Sequence, residues 1–172
     1  MHTNGMGGRC NGYLGPEARE VGFNSGKKVQ IAMSHMQAWN SKRAVEVRRN
    51  QIDEIKTLLD TYARPNVPQL LAGDLNIDGK VVTEYPAALS ALQMTSTNLE
   101  GPLNATNGFK VECYKTPGEA SDGQWLDHFW LRAHSSGSEI LHKKVRPFTG
   151  IMKGNKECSL SDHYGVEAVL KL

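Results

Sequence analysis

The sequence predicts a domain of the α/β (α+β) class, in which strands and helices share one core. Two observations carry this prediction. Short segments alternate apolar and polar residues, while two longer segments repeat apolar residues at spacings of three and four. Hydrophobic residues make up 39% and charged residues 22% of the 172 residues, a composition typical of a folded globular domain. No apolar run approaches the roughly 20 residues of a membrane-spanning helix, so no transmembrane segment is expected.

The beginning of the chain differs in composition from the rest. Residues 1–26 contain seven of the seventeen glycines, and glycine favours neither helix nor strand. We therefore expect an irregular segment over 1–26 and a folded domain over 27–172. The first ten residues contain no apolar stretch typical of a signal peptide. The formal net charge of +2 is too balanced to indicate nucleic acid or an anionic membrane by itself.

The first half of the domain predicts strand, helix, strand, helix. Alternation over Lys28–His35 predicts a strand, and an apolar stripe over 41–62 predicts a helix that Arg64–Pro65 ends. The apolar run Val67–Ala72 predicts a buried strand that ends at Gly-Asp-Leu-Asn. A second helix is expected to open near Thr83 and Pro86, since proline is tolerated in a first turn.

The second half is less regular. Residues 95–124 predict a loop with one short strand near Lys110–Tyr114, and aromatic content predicts a strand over Trp125–Arg132. Residues 133–160 predict a polar connection. Alternation over Val166–Leu172 predicts the final strand.

Four polar clusters lie at ends of the predicted strands: Ser34–His35, Asp74 with Asn76, Asp127–His128 and Asp162–His163. Loops at strand ends commonly hold catalytic groups on a rigid scaffold. Each cluster has an ordinary structural explanation: a lone histidine bonded within the fold, a turn at Asp-x-Asn, or a cap on the last strand. Together they supply two imidazoles, three carboxylates and an amide, which favours a site. Its candidate residues are His35, Asp74, Asn76, Asp127, Asp162 and His163.

Five motifs follow one another along the chain: His35-Met36-Gln37-Ala38, Glu46-Val47-Arg48 with Gln51, Gly73-Asp74-Leu75-Asn76, Leu126-Asp127-His128 and Ser161-Asp162-His163-Tyr164. Their order resembles the endonuclease/exonuclease/phosphatase (DNase-I-like) superfamily. Within the superfamily they resemble the neutral, bacterial-type sphingomyelinases most. The resemblance implies a four-layer α-β-β-α sandwich of mostly antiparallel sheets. It also implies metal-dependent phosphodiester hydrolysis of a phospholipid, sphingomyelin, at a membrane surface.

The resemblance also implies roles for the candidate residues. His163 is expected to be the general base, Asp127 to orient it, and His35 to stabilise the transition state or protonate the leaving group. Asp74 and Asn76 are expected to position water and phosphate. Asp162, Asp74, Asn76 and His163 are the expected metal ligands, with Mg²⁺, Mn²⁺ or Ca²⁺ as the ion, because hard cations prefer oxygen ligands.

The sequence departs from the family before His35. Superfamily domains normally begin with a strand ending in Asn, followed by a Gln-Glu strand whose glutamate is the principal metal ligand. Neither precedes His35 here, and Glu17 and Glu20 lie in the glycine-rich segment. We therefore expect the chain to correspond to the C-terminal part of the domain, incomplete at the N-terminus.

Two alternatives stay open at this stage. One is a nuclease of the same superfamily, whose phosphate contacts would be among Lys42, Arg43, Arg48, Arg49, Lys143, Lys144 and Arg146, unless these are only solvated faces. The other is a non-catalytic, truncated relative. Trp39, just beyond His35, is a candidate contact for substrate or membrane. Trp125, Phe129 and Trp130 are expected in the core, and His128 is expected to face away from the site.

Overall fold

The computed structural model describes residues 17–107, 123–152 and 156–172. In chain order the elements are β1 (Glu17–Gly22), β2 (Lys28–Met33), α1 (Lys42–Tyr62), β3 (Gln69–Asp74), α2 (Glu84–Leu92), β4 (Asp127–Arg132), β5 (Glu139–Arg146), β6 (Thr149–Met152), β7 (Lys156–Ser159) and β8 (Gly165–Lys171). Strands β1 to β4 form one sheet in the order β1-β2-β3-β4. Strands β2 and β3 run parallel, whereas β1 and β4 are antiparallel to their neighbours. Strands β5 and β8 form an antiparallel pair, as do β6 and β7.

Both helices pack on one face of the sheet. Ser41 caps the N-terminus of helix α1: its hydroxyl accepts a hydrogen bond from the backbone N–H of Ala44 at 3.2 Å, the usual N-cap arrangement. Its apolar stripe and that of α2 join the sheet residues Leu71 and Trp130 in one buried cluster. The predicted core positions of Trp125 and Trp130 are confirmed, because both side chains are buried.

The opposite face of the same sheet packs against the β5–β8 pair. Val29, Leu70 and Leu131 lie there in a second buried cluster with Ile140 of β5, and Phe129 packs against it. Leu70 and Leu71 thus point to opposite buried faces of β3, which explains why this strand is continuously apolar in sequence. The helices, the sheet and the β5–β8 pair account for three layers, and the full four-layer stacking stays a prediction.

Several sequence predictions need correction. Residues 133–160 are not a plain connection, because they contain β5, β6 and β7. The segment 1–26 is not irregular throughout, since β1 pairs with β2 along its whole length. Its residues 1–16 and the strand predicted near Lys110–Tyr114 lie outside the described residues. No helix in the described ranges combines the length and apolar character needed to cross a bilayer.

Candidate active site

The parallel pairing of β2 and β3 brings two predicted site residues together. The carboxyl ends of parallel strands meet at one edge of the sheet, so His35 follows β2 close to Asp74 at the end of β3. The backbone N–H of Met36 donates to the carbonyl of Asp74 at 2.9 Å. The imidazole Nε2 of His35 lies 3.4 Å from Oδ2 of Asp74, and the His35 side chain is exposed.

Gly73 makes this close approach possible. Its φ is +128°, and a Cβ placed on it would lie 2.1 Å from the carbonyl oxygen of Ser34. No side chain fits that space, and L-residues rarely adopt this conformation. The glycine before Asp74 therefore fixes how closely the ends of β2 and β3 can meet.

The antiparallel strand β4 contributes the second carboxylate. In its register with β3, Asp127 lies directly opposite Asp74. The backbone N–H groups of Leu126 and Asp127 donate to the Thr106 hydroxyl at 3.0 and 3.1 Å. The start of β4 is thereby tied to the loop before it.

His163 comes from the turn before β8 and lies between the two aspartates. Its Nδ1 is 2.8 Å from Oδ2 of Asp127, and its Nε2 is 3.7 Å from Oδ2 of Asp74. Nε2 also contacts the side-chain amide of Asn107. With Nδ1–H donating to Asp127, Nε2 carries the lone pair of the neutral ring and can accept a proton.

The surroundings shift the pKa of two of these groups. The hydrogen bond to Asp127 is the largest influence on His163 and raises its pKa, because the charged ring is stabilised. Burial raises the pKa of Asp74, and the neighbouring Asp127 charge acts in the same direction. The site therefore favours a positive charge on His163 between two carboxylates.

Asn76 shapes the loop after β3. Its backbone N–H donates to Oδ1 of Asp74 at 2.9 Å, and its φ is +50°, a turn conformation that asparagine tolerates. Its side-chain amide donates to the carbonyl of Met36 at 3.0 Å. Asn76 thus joins the loop after β2 to the loop after β3 and lines the cleft between them.

All six predicted site residues line one cleft of about 790 Å³. Asp74, Asp127 and His163 each offer a ligand atom within 4.8 Å of the others, while Asp162 lies at the cleft without joining this group. Two carboxylates and an imidazole fit a hard divalent cation such as Mg²⁺, which protein sites commonly hold through one or two carboxylates plus substrate phosphate. The predicted metal set differs from this group, since it contains Asn76 and Asp162 in place of Asp127.

Sequence reasoning missed Asn107 and Gln124, which line the cleft from the irregular region. Asn107 pairs by backbone bridges with both Gln124 and His163. No local periodicity marks these residues, because their position depends on pairing with distant parts of the chain. Glu20, in contrast, pairs with Lys28 at 2.9 Å and Arg64 at 3.0 Å, and it does not line the cleft.

Two of the candidate phosphate-binding cations are interior residues. Arg48 is fully buried and pairs with Glu84 at 2.7 Å, and Lys143 is fully buried as well. Both explanations offered by the sequence, phosphate contact and solvated face, are therefore wrong for these two. His128 faces away from the cleft as predicted: it is buried, with Nε2 2.7 Å from the carbonyl oxygen of Ile77.

Comparison with known proteins shows the fold. No protein-family model matches the chain, and no curated protein matches its sequence. Beta toxin from Staphylococcus aureus superposes with a TM-score of 0.68 at 20% identity, over 90% of this chain and 56% of the toxin structure. A variant of beta toxin has been solved with bound magnesium ions.

Two further solved structures show the same likeness. Sphingomyelinase C from Streptomyces griseocarneus has a TM-score of 0.62 at 22% identity, over 88% of this chain and 56% of the other. TDP2 from D. rerio, solved with a single-strand DNA product, has a TM-score of 0.60 at 16% identity, over 93% of this chain and 68% of the other. The chain thus spans little more than half the length of the toxin and sphingomyelinase structures. It shares the α+β fold of these structures, as the resemblance of its motif order implied.

Proposed function

We propose that the chain carries most of the active site of a divalent-metal-dependent phosphodiesterase that hydrolyses sphingomyelin to ceramide and phosphocholine. The observation that carries the proposal is His163, held by Asp127 at 2.8 Å with its second nitrogen facing Asp74 across an open cleft. A histidine oriented by a carboxylate is the arrangement that general-base catalysis requires.

The proposed reaction uses both ring nitrogens of His163. Nε2 takes a proton from water, the resulting hydroxide attacks phosphorus, and the bond from phosphorus to the lipid oxygen breaks. Asp127 stabilises the imidazolium that forms at His163. We propose that His35, which is exposed at the cleft 3.4 Å from Asp74, protonates the departing lipid oxygen.

Asp74 is the principal proposed metal ligand, with Asp127 beside it and Asp162 at the margin of the cleft. His163 keeps the lone pair of Nε2 for the proton of water and is therefore not a metal ligand in this mechanism. A bound Mg²⁺ supplies Lewis-acid stabilisation of the phosphoryl oxygens. Asn76 stabilises the loop that carries Asp74, through its backbone bond to Asp74 and its side-chain bond to the carbonyl of Met36. The described part of the cleft offers no glutamate.

The test is release of phosphocholine from sphingomyelin vesicles with Mg²⁺ and with EDTA. We expect turnover only with the metal, and a loss of at least about 100-fold for His163→Ala. His142→Ala is the matched control, because His142 is exposed on β5 and pairs with Glu100. Absence of metal-dependent turnover, both for this chain and for a longer protein that contains it, would show the proposal to be wrong.

A nuclease is the second candidate, and the DNA product in the TDP2 structure is the observation that favours it. Against it, Arg48 and Lys143 are buried and Arg146 pairs with Glu167 at 3.0 Å. Steep salt dependence of DNA binding would support the nuclease. A non-catalytic relative would instead leave every measured property unchanged in His163→Ala.

A further inference from the structure

Trp39 is a large apolar side chain left exposed at the cleft. It keeps 80% of its surface exposed and lines the cleft together with His35 and Asp74. The other two tryptophans of the chain, Trp125 and Trp130, are buried. An indole combines a broad apolar face with a negative π-surface, so its exposure beside a candidate catalytic histidine favours a ligand contact.

The backbone of Trp39 has a conformation that tryptophan rarely adopts. Its φ is +77°, a conformation that is sterically unfavourable for bulky residues. The buried guanidinium of Arg48 donates to the carbonyl oxygens of Gln37 at 2.9 Å and Trp39 at 2.5 Å. The same group pairs with both carboxylate oxygens of Glu84, at 2.7 and 2.9 Å. Strained residues that are held by their surroundings cluster at ligand-binding sites.

The charged residues that line the cleft determine which kind of ligand can bind next to this indole. Its described lining includes Asp74, Asp127 and Asp162, with no lysine or arginine. A nucleic-acid strand, which carries one charge at every phosphate, finds no described cation along this wall. A cationic group, in contrast, is attracted by the face of the indole, and no described lysine or arginine of the lining repels it.

We infer that Trp39 is a specificity-determining residue whose indole face contacts the quaternary ammonium group of a choline phosphodiester bound in the cleft. The inference rests on the proposed function and adds a contact to it. Arg48 is a positioning residue in this arrangement, because it acts on the ligand only through the backbone of residues 37–39.

Binding can be tested without turnover. Trp39 is the one exposed tryptophan of three, so acrylamide quenching of intrinsic fluorescence reports mainly on its indole. With Mg²⁺ present, we expect phosphocholine to lower the quenching constant about twofold, and inorganic phosphate to leave it unchanged, because only phosphocholine covers the ring. Trp39→Phe should remove the quenchable component, which assigns the signal. Equal quenching with phosphocholine and with phosphate overturns the inference.

Steady-state kinetics test whether Trp39 recognises the positive charge of the choline group. The substrates are p-nitrophenyl phosphocholine and its neutral isostere, in which 3,3-dimethylbutyl replaces choline. We expect Trp39→Ala to raise KM for the choline ester about two- to fivefold more than for the isostere, as for a cation–π contact at an exposed site. Trp39→Phe should retain part of this preference.

Tyr62→Ala is the matched control for Trp39→Ala. Tyr62→Ala removes an exposed aromatic at the opposite end of the 21-residue α1, roughly 30 Å along the helix axis, and should change neither KM. Equal effects of Trp39→Ala on both esters overturn the inference while the proposed function stands. If neither ester is hydrolysed, by this chain or by a longer protein that contains it, the proposed function fails, and the fluorescence result still decides the role of Trp39.

Discussion

Burial of Lys143 makes the stability of this protein depend on pH above neutrality. The side chain is fully buried, its Nζ donates to the Ser96 hydroxyl at 2.6 Å, and it lies 4.4 Å from the centroid of the Trp125 ring. No carboxylate pairs with it among the described residues. The neighbouring His128 is neutral near pH 7, because burial lowers its pKa to about 4. Burial likewise lowers the pKa of Lys143 from 10.5 to about 7.

The direction of the effect follows from proton binding. Between pH 7 and pH 10.5 the unfolded chain keeps the lysine proton while the folded protein releases it. The free energy of unfolding therefore rises with pH across this window, by at most about 1.4 kcal/mol per pH unit. The gap between a pKa of about 7 and 10.5 sets an upper limit of about 5 kcal/mol. Below pH 7 both states are protonated, and the full penalty of the buried charge is present.

The assay compares urea unfolding of the wild type and Lys143→Met from pH 6 to pH 10. The difference between their unfolding free energies cancels the titration of all other groups. As the pH rises, we expect the unfolding free energy of the wild type to increase by several kcal/mol relative to that of Lys143→Met. Lys144→Met is the control, because Lys144 is the exposed neighbour on β5, and its difference should stay flat. A flat difference for Lys143→Met would refute the reasoning.

Three further substitutions test the supports of the site. Gly73→Ala should destabilise the fold by more than about 3 kcal/mol, because its Cβ would meet the backbone. Gly101→Ala, also at positive φ but in open space, should lose only about 1–2 kcal/mol by thermal unfolding; equal losses would contradict the steric argument. Arg48→Met should lose about 3 kcal/mol in urea, since it leaves a partly buried carboxylate unpaired. The exposed Arg49→Met should stay within about 0.5 kcal/mol, and similar losses for both would argue against the buried pair. Asp127→Asn should lower kcat for sphingomyelin at least about 100-fold with an unchanged circular dichroism spectrum; full activity would remove Asp127 from the proposed mechanism.

The first half of the fold was predictable because its signals are local. The period of two over β2 and the apolar stripe of α1 each depend on residues a few positions apart, and both elements lie where the patterns placed them. The position of the site was predictable as well. Strand ends that carry His35 and Asp74 meet because β2 and β3 are parallel neighbours, and their separation by one helix is the usual crossover for such a pair.

In the second half, β4 and β8 lie where the sequence predicted strands, whereas β5 to β7 were missed within 133–160. For β5 the reason is that long-range packing overrides its local pattern. Strand β5 has an irregularity between Ile140 and His142, which interrupts the alternation. It also directs the buried Lys143 inward beside the exposed Lys144, so the sequence shows adjacent charges where a strand is expected to alternate. Asn107 reaches His163 only through bridges to distant residues, and no pattern in the loop itself indicates that contact.

The Gly-Asp-Leu-Asn segment shows that a turn and a catalytic loop need not be competing interpretations. Oδ1 of Asp74 accepts the backbone N–H of Asn76, which closes the turn that the sequence alone would suggest. That bond occupies one oxygen and leaves Oδ2 facing His35 at 3.4 Å and His163 at 3.7 Å. The turn therefore aims the carboxylate at both histidines. A substitution that removed the turn but kept Asp74 should consequently disturb the site, because the side chain would lose the bond that orients it.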